Sequence, residues 1–150
     1  MDDAPLLDTH AWVWWTGRAE RLHAQEVAAL DALPVDERPY LCDISLWEVA
    51  TLVMRDRLSL TSPLDEWLGH AAHPRSVRIL SITPEIAAEI ARLPSTLHRD
   101  PADRIIVATC RVMNLPLLTR DRRILRSRLV RRWRPLRLER RSGPHAPRSG

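Results

Sequence analysis

The sequence predicts an α/β protein in which a parallel β-sheet is covered by helices. Short apolar runs, typical of buried strands, alternate along the chain with longer segments whose apolar residues recur at helical spacing. The connections between these segments are short. Because parallel strands need a crossover, usually a helix, this alternation favours a sheet with helices on both faces. The 150 residues match the usual size of one domain.

Each predicted strand is a short apolar run. The first, PLLD, ends at once in a carboxylate, and the third, VRILSI, alternates apolar and polar residues. The fourth, LPLLTRD, again ends in an acid. In chain order these strands are residues 5–8, 40–44, 77–82 and 115–121. A last strand is predicted near residues 133–138, within an arginine-rich segment.

Six helices are predicted from apolar periodicity and from residues that start or stop helices. They span residues 10–17, 19–33, 45–58, 61–73, 83–93 and 100–114. Short polar side chains that accept hydrogen bonds from backbone amides stand at four of the starts. These predicted N-caps are Ser45, Ser62, Thr83 and Asp100. Proline follows three of them at the first helical position, where its missing N–H has no helical partner to lose.

The composition excludes several classes of enzyme. The chain contains no lysine, so mechanisms that need one are excluded. Among them are the Walker phosphate loop, the receiver domains phosphorylated on aspartate and the haloacid-dehalogenase-like phosphatases. Only four glycines are present, and no GxGxxG dinucleotide motif can be formed. His70 and His73 have helical i, i+3 spacing but no third ligand nearby, so surface positions are favoured over a zinc site.

Charge is distributed unevenly along the chain. Residues 1–116 carry 11 Arg against 17 acids, a net charge of −6, whereas residues 117–150 carry 12 Arg against 2 acids, a net charge of +10. A basic C-terminal segment on an acidic body suggests a polyanionic partner. A solvated tail in an arginine-rich proteome is the alternative that the sequence leaves open.

The sequence also favours a cytoplasmic protein. No run approaches the roughly 18 apolar residues of a membrane helix, and the N-terminus has no basic region of a signal peptide. The two cysteines, Cys42 and Cys110, lie in apolar stretches. They are predicted to be buried reduced thiols rather than a disulfide.

Four acids are expected at the carboxyl edge of the sheet. Asp8 and Asp121 follow predicted strands, and Glu48 and Asp103 lie in the first turn of predicted helices. Each also has a structural explanation. Glu48 and Asp103 can belong to helix caps with the polar residue three positions earlier, Asp8 can cap the helix that follows it, and Asp121 can be a turn residue or a partner of neighbouring arginines.

The four carboxylates are harder to explain together than singly. Unscreened like charges about 4 Å apart repel by several kcal/mol at an effective dielectric constant near 20. Such a cluster must be protonated, paired with arginine, or neutralised by a cation. Carboxylate oxygens suit Mg²⁺ or Mn²⁺, ions that activate water for phosphodiester chemistry. The sequence therefore predicts a site for such an ion.

Three segments, in this order, resemble the PIN-domain ribonucleases, and more narrowly the VapC-type toxins of toxin–antitoxin pairs. They are LLDTHAWVWW, ISLWEVATLVMRDRLSL and HRDPADRIIVATCRVMNLPLLTRDRRI. The resemblance covers residues 5–125. It implies a three-layer sandwich with a parallel sheet of about five strands. The PIN-like domain is expected over residues 1–141, and the composition of residues 142–150, which departs from the family pattern, predicts a disordered tail.

The resemblance also implies chemistry and partners. The family's acidic quartet, which would be catalytic and hold Mg²⁺ or Mn²⁺, falls on Asp8, Glu48, Asp103 and Asp121, with Thr119 as a polar neighbour. It implies RNA cleavage, homodimers and a cognate antitoxin that occludes the site. Phosphate contact is expected from Arg104, Arg120, Arg122 and Arg123. The alternatives are a non-catalytic RNA-binding module that retains the fold and a PIN nuclease of RNA processing outside a toxin–antitoxin pair.

Overall fold

The computed structural model describes residues 4–135 and contains one parallel sheet. Its strands are β1 (Leu6–Leu7), β2 (Tyr40–Cys42), β3 (Arg78–Leu80) and β4 (Leu117–Leu118). They lie in the order β3-β2-β1-β4, and every pairing between them is parallel. β1 is therefore central, and Asp8 at its end is placed in the interior of the carboxyl edge.

A further parallel pairing lies beside β4. Leu117 forms an isolated bridge with Arg132. The Leu117 amide donates to the Arg131 carbonyl at 2.8 Å, and the Trp133 amide donates to the Leu117 carbonyl at 2.8 Å. The predicted architecture is confirmed, with four strands and this bridge in the described chain where about five strands were expected. Residues 136–138 of the predicted last strand and the tail 142–150 lie outside the described residues, so the domain limits stay a prediction.

Seven α-helices flank the sheet within residues 4–135. They are α1 (Thr9–Thr16), α2 (Ala24–Asp31), α3 (Ile44–Met54), α4 (Leu64–Ala71), α5 (Pro84–Arg92), α6 (Pro101–Met113) and α7 (Arg122–Ser127). A short 3₁₀ helix spans Val35–Glu37. The helix predicted at 19–33 is much shorter in the structure, and α7 was not predicted.

Successive side chains of each strand pack on opposite faces of the sheet, in two separate apolar cores. Leu6 and Leu117 pack in one apolar cluster with side chains of α5 and α6. Leu7 and Leu118 pack in the other, which is built around Trp12 and includes side chains of α1 to α4. The three-layer sandwich follows from this alternation. Both cysteines are free and buried, as predicted.

Two of the four predicted N-caps are correct. The Ile86 amide donates to Thr83 Oγ1 at 3.2 Å, and the Asp103 amide donates to Asp100 Oδ1 at 3.0 Å. The prediction for Ser62 is wrong because α4 begins at Leu64, with Pro63 at the N-cap position.

The prediction for Ser45 is also wrong. α3 begins one residue earlier, at Ile44, with Asp43 at the N-cap position, so Ser45 lies inside the first turn. The Ser45 hydroxyl is fully buried and forms a hydrogen bond of 2.9 Å with the hydroxyl of Thr9. It therefore joins α3 to α1 and takes no part in a capping box.

Candidate metal centre

The four predicted acids lie at the carboxyl edge of the sheet or on helices packed there. Asp8 follows β1 directly and is the N-cap of α1, and Asp121 is the N-cap of α7. Asp103 lies in the first turn of α6. Glu48 is the fifth residue of α3, two positions deeper than predicted, because the helix begins at Ile44.

Asp8 is buried, and its two carboxylate oxygens have different partners. Oδ1 accepts a hydrogen bond from the Ala11 amide at 2.7 Å, which caps α1. Oδ2 accepts a hydrogen bond from the hydroxyl of Thr119, which is also buried. Burial nevertheless raises the pKa of Asp8, although these two hydrogen bonds act to lower it. A negative charge at this position therefore lacks sufficient compensation.

Thr119 connects Asp8 to Asp121. Its hydroxyl oxygen accepts a hydrogen bond from the Asp121 amide at 3.0 Å while the hydroxyl donates to Asp8. Asp121 Oδ1 accepts from the Arg123 amide at 2.8 Å, and Oδ2 lies 3.4 Å from Arg123 Nη2. Burial acts to raise the pKa of Asp121, but the hydrogen bonds from Arg123 and from the Ile124 amide outweigh it, so the pKa is lowered.

Asp103 faces a histidine that the sequence interpretation did not single out. His98 Nε2 forms a hydrogen bond of 2.6 Å with Asp103 Oδ2 and lies 4.0 Å from Asp121 Oδ2. Burial raises the pKa of Asp103, repulsion from Asp100 and Asp121 adds to the rise, and the hydrogen bond from His98 acts in the opposite direction. His98 thus lies between two of the four acids.

Glu48 is half-buried, and its Oε2 is a buried atom without a hydrogen-bond partner in the described structure. Burial raises its pKa to about 7, and repulsion from Asp103, Asp100 and Asp8 contributes. Since Ser45 is not the N-cap of α3, the capping-box explanation of this glutamate is removed. The charged form of Glu48 is therefore disfavoured, and its Oε2 is an unused acceptor atom.

These contacts bring the acids together to different degrees. Within the described chain, potential ligand atoms of His98, Asp103 and Asp121 all lie within 4.8 Å of one another. Asp8 joins this group through Thr119, and Glu48 interacts with Asp8 and Asp103 through charge repulsion. Asp8 and Glu48 are not part of the closest cluster.

A PIN-domain family model matches residues 6–128 of the chain. The chain belongs to the PIN-domain family. It is 38% identical to Ribonuclease VapC22 of Mycobacterium tuberculosis over 119 residues, which is 79% of this chain and 88% of that protein. The crystal structure of FitAcB from Neisseria gonorrhoeae superposes with a TM-score of 0.62 and 27% identity, and covers 89% of this chain and 99% of that one. The predicted resemblance to VapC-type PIN domains is confirmed.

The arginines expected to contact RNA fall into two groups in this PIN domain. The guanidinium of Arg104 donates to the carbonyls of Leu97 at 3.2 Å and Leu93 at 3.5 Å, so it holds the loop before α6. Arg120 forms an ion pair with the buried Glu26 of α2. Of these four arginines, Arg122 and Arg123 are exposed. RNA contact stays a prediction for all four.

Sequence reasoning missed two residues of this edge, His98 and Glu26. His98 precedes Asp103 by five residues in HRDPAD, and its position in the loop just before an acidic helix start was a signal that it faces the same edge. Glu26 had no such signal. Its helix was predicted, but the contact with Arg120 joins residues 94 positions apart.

The residues at this edge fit a hard divalent cation. Asp8, Asp103 and Glu48 all have raised pKa values, so their ionised forms carry charge that the protein does not neutralise. Glu48 Oε2 and His98 Nδ1 are buried without a hydrogen-bond partner among the described residues. Carboxylate oxygens are the preferred donors of Mg²⁺ and Mn²⁺.

In the described part of the chain, no helix is both long and apolar enough to cross a bilayer.

Proposed function

We propose that this PIN domain is a divalent-metal-dependent endoribonuclease that acts as the toxin of a toxin–antitoxin pair. The observation that carries the proposal is the group of carboxylates around His98 and Thr119 at the carboxyl edge of the sheet, where α/β proteins place their reactions. The 38% identity to a protein named as a ribonuclease supports RNA as the substrate.

Asp8, Asp103, Asp121 and Glu48 would hold the ion, which is Mg²⁺ or Mn²⁺. When bound, such an ion supplies Lewis acidity and lowers the pKa of a coordinated water near a scissile phosphate. Thr119 orients Asp8 by its hydrogen bond to Oδ2 and fixes the Asp121 backbone by accepting from its amide. Glu48, whose Oε2 has no hydrogen-bond partner among the described residues, would complete the ligand set and orient the attacking water.

RNA binding beyond the centre is assigned to exposed arginines. Arg122 and Arg123 stand at the start of α7, next to Asp121, where they can contact the phosphates that flank the scissile bond. Phosphate contacts of this kind position the substrate without reading its sequence. Arg104 and Arg120 are assigned a supporting role because their partly buried guanidinium groups are bound within the protein, whereas the side chain of Arg123 is 65% exposed despite its contact with Asp121.

The decisive experiment is RNA cleavage by the full chain with Mg²⁺, with Mn²⁺ and with EDTA. We expect Asp8→Asn and Asp103→Asn each to lower cleavage at least ~100-fold while the fold is retained, because each removes charge from the ion's surroundings. Asp56→Asn is the matched control. Asp56 is exposed and has a φ of 55°, a conformation that asparagine adopts readily. Full cleavage by Asp8→Asn, or cleavage unaffected by EDTA, would contradict the proposal.

The toxin role predicts a partner and a cellular effect. The partner is a cognate antitoxin, expected from a short gene directly upstream, and the assembly is expected to contain a homodimer of this chain. Induction of the chain alone should arrest growth, and co-expression with the upstream product should restore it. Since the substrate is RNA, the site of action is the cytoplasm. Growth arrest by Asp8→Asn as strong as that of the parent would instead favour a non-catalytic RNA-binding module, and cleavage without growth arrest would favour a nuclease of RNA processing.

A further inference from the structure

His98 lies in the middle of the acidic centre and has the geometry of a ligand. Its side chain is 13% exposed, and Nε2 lies 2.6 Å from Asp103 Oδ2 and 4.0 Å from Asp121 Oδ2. The three potential donor atoms lie within 4.8 Å of one another. One nitrogen and two carboxylate oxygens therefore face a common point, a different donor set from four carboxylates alone.

The loop that carries His98 is held in place from both sides. Leu97 is buried in the core next to α5 and α6. The Arg104 side chain reaches back from α6 and donates to the carbonyl of Leu97 at 3.2 Å and to that of Leu93 at 3.5 Å. The imidazole is thus positioned before any ion binds, which lowers the entropic cost of using it as a ligand.

The ring proton of His98 can sit on either nitrogen of the imidazole. Nε2 forms a hydrogen bond with Asp103 in which the tautomer decides the donor, and Nδ1 is buried without a hydrogen-bond partner among the described residues. No bond to Nδ1 therefore fixes the tautomer. Transfer of the ring proton to Nδ1 leaves the Nε2 lone pair directed at the two carboxylates, and breaks only the bond to Asp103 that a cation would replace.

We propose that His98 ligates the metal ion of this centre through Nε2 and makes the centre select first-row transition-metal ions over Mg²⁺. Magnesium prefers oxygen donors and water, whereas imidazole nitrogen is a good donor to transition-metal ions. The inference rests on the proposed function because it concerns the same ion. It adds a nitrogen donor and a metal preference to the acidic quartet.

The experiment measures metal binding to the full chain without RNA. Mn²⁺ is titrated by electron paramagnetic resonance, Mg²⁺ affinity is obtained by competition, and electron spin echo envelope modulation detects a ¹⁴N nucleus coordinated to bound Mn²⁺. We expect a ¹⁴N signal in the parent chain. His98→Gln should abolish that signal and weaken Mn²⁺ binding at least ~10-fold, the lower end of the loss typical for partners at metal sites. Mg²⁺ binding should weaken less than ~3-fold, because glutamine offers an oxygen.

His70→Gln is the matched control, since His70 is an exposed histidine on α4 and its neighbour His73 completes the i, i+3 pair. It should leave both affinities and the ¹⁴N signal unchanged. A ¹⁴N signal that is lost in His70→Gln and kept in His98→Gln would overturn the inference. Equal weakening of Mn²⁺ and Mg²⁺ in His98→Gln, with no ¹⁴N signal in the parent, would also overturn it and would leave His98 as a residue that only positions Asp103.

Failure of the inference and failure of the proposed function can be told apart with Asp103→Asn. Mn²⁺ binding that depends on Asp103 but is indifferent to His98 contradicts the nitrogen ligand and leaves the metal-dependent nuclease intact. Mn²⁺ binding that is unaffected by Asp103→Asn contradicts both.

Discussion

Glu48→Gln is expected to stabilise the metal-free protein at alkaline pH. Burial and the nearby carboxylates raise the pKa of Glu48 from 4.5 to about 7. Such a shift corresponds to about 3 kcal/mol at 1.36 kcal/mol per pKa unit. Because the side chain is only half-buried and solvent screens its charge, we expect about half of this, ~1.5 kcal/mol. For a domain of this size, ~1.5 kcal/mol raises the melting temperature by roughly 3–6 °C.

The sign of the effect depends on pH. The pKa of Glu48 is higher in the folded than in the unfolded chain, so folding favours the protonated form. Below pH 4.5 both states are protonated and the glutamate carries no penalty. The penalty grows as pH rises from 4.5 and is complete above about 7. Glu48→Gln should therefore raise the melting temperature strongly at pH 8 and only slightly at pH 5.

The assay is thermal unfolding in EDTA and again with excess Mg²⁺ or Mn²⁺. In metal the order should reverse, because the ion stabilises the parent by binding the folded state and Glu48→Gln binds it less tightly. Glu20→Gln, at an exposed position in the loop between α1 and α2, is the control and should change neither profile. A Glu48→Gln variant that is equally destabilised at pH 5 and pH 8 would refute the reasoning, since it would make this glutamate an ordinary structural side chain.

Three further predictions concern neighbours of the centre. Thr119→Val should destabilise the protein by about 1–3 kcal/mol in urea unfolding, because it leaves an oxygen of buried Asp8 without its hydrogen bond. Arg120→Met should cost about 2 kcal/mol in the same assay, below the roughly 3–5 kcal/mol of a fully buried pair, because Glu26 loses its partner but Arg120 itself is 23% exposed. Charge reversal of Arg128 and Arg132 together should flatten the slope of log affinity against log salt for single-stranded RNA by about 0.7 per lost phosphate contact, without changing the cleavage sequence.

Each of these predictions has a control and a contrary result. Thr119→Ser retains the hydroxyl and should be close to the parent, so equal destabilisation by both variants would assign the effect to packing. Arg18→Met breaks the exposed pair with Asp31 and should cost less than ~1 kcal/mol. If Arg18→Met lost as much stability as Arg120→Met, burial would not explain the cost of Arg120→Met. An unchanged salt slope, measured in an Asp8→Asn background, would assign Arg128 and Arg132 to solubility or to contact with an acidic face of the antitoxin.

Much of the fold was predictable because it depends on short-range patterns. Alternating strands and helices, each with a recognisable apolar run, fix a parallel sheet and place Asp8 and Asp121 at its carboxyl edge. Thr83 and Asp100 were predictable as caps for the same reason, since a cap bonds to an amide three residues away. The parallel direction of the strands, and therefore the edge of the sheet at which Asp8 and Asp121 lie, follows from such local rules.

The failures come from contacts between residues far apart in the chain. Serine is a preferred N-cap residue, but the hydroxyl of Ser45 forms a buried hydrogen bond with Thr9, 36 residues earlier. Arg120 is held by an ion pair with Glu26, 94 residues earlier, and its contact with RNA stays a prediction. Neither partner can be identified from periodicity or spacing. His98 was missed because its importance comes from meeting Asp121, 23 residues away, as well as the nearby Asp103.

The structural and functional explanations of the acids do not exclude each other, because a carboxylate has two oxygens. Asp8 uses Oδ1 to cap α1 and directs Oδ2 to Thr119. Asp121 uses Oδ1 to cap α7, while Oδ2 lies towards Arg123 and His98. In each case the cap fixes the orientation of the carboxylate and leaves the second oxygen at the edge of the sheet. Capping the helices therefore also positions the side chains that a cation would bind.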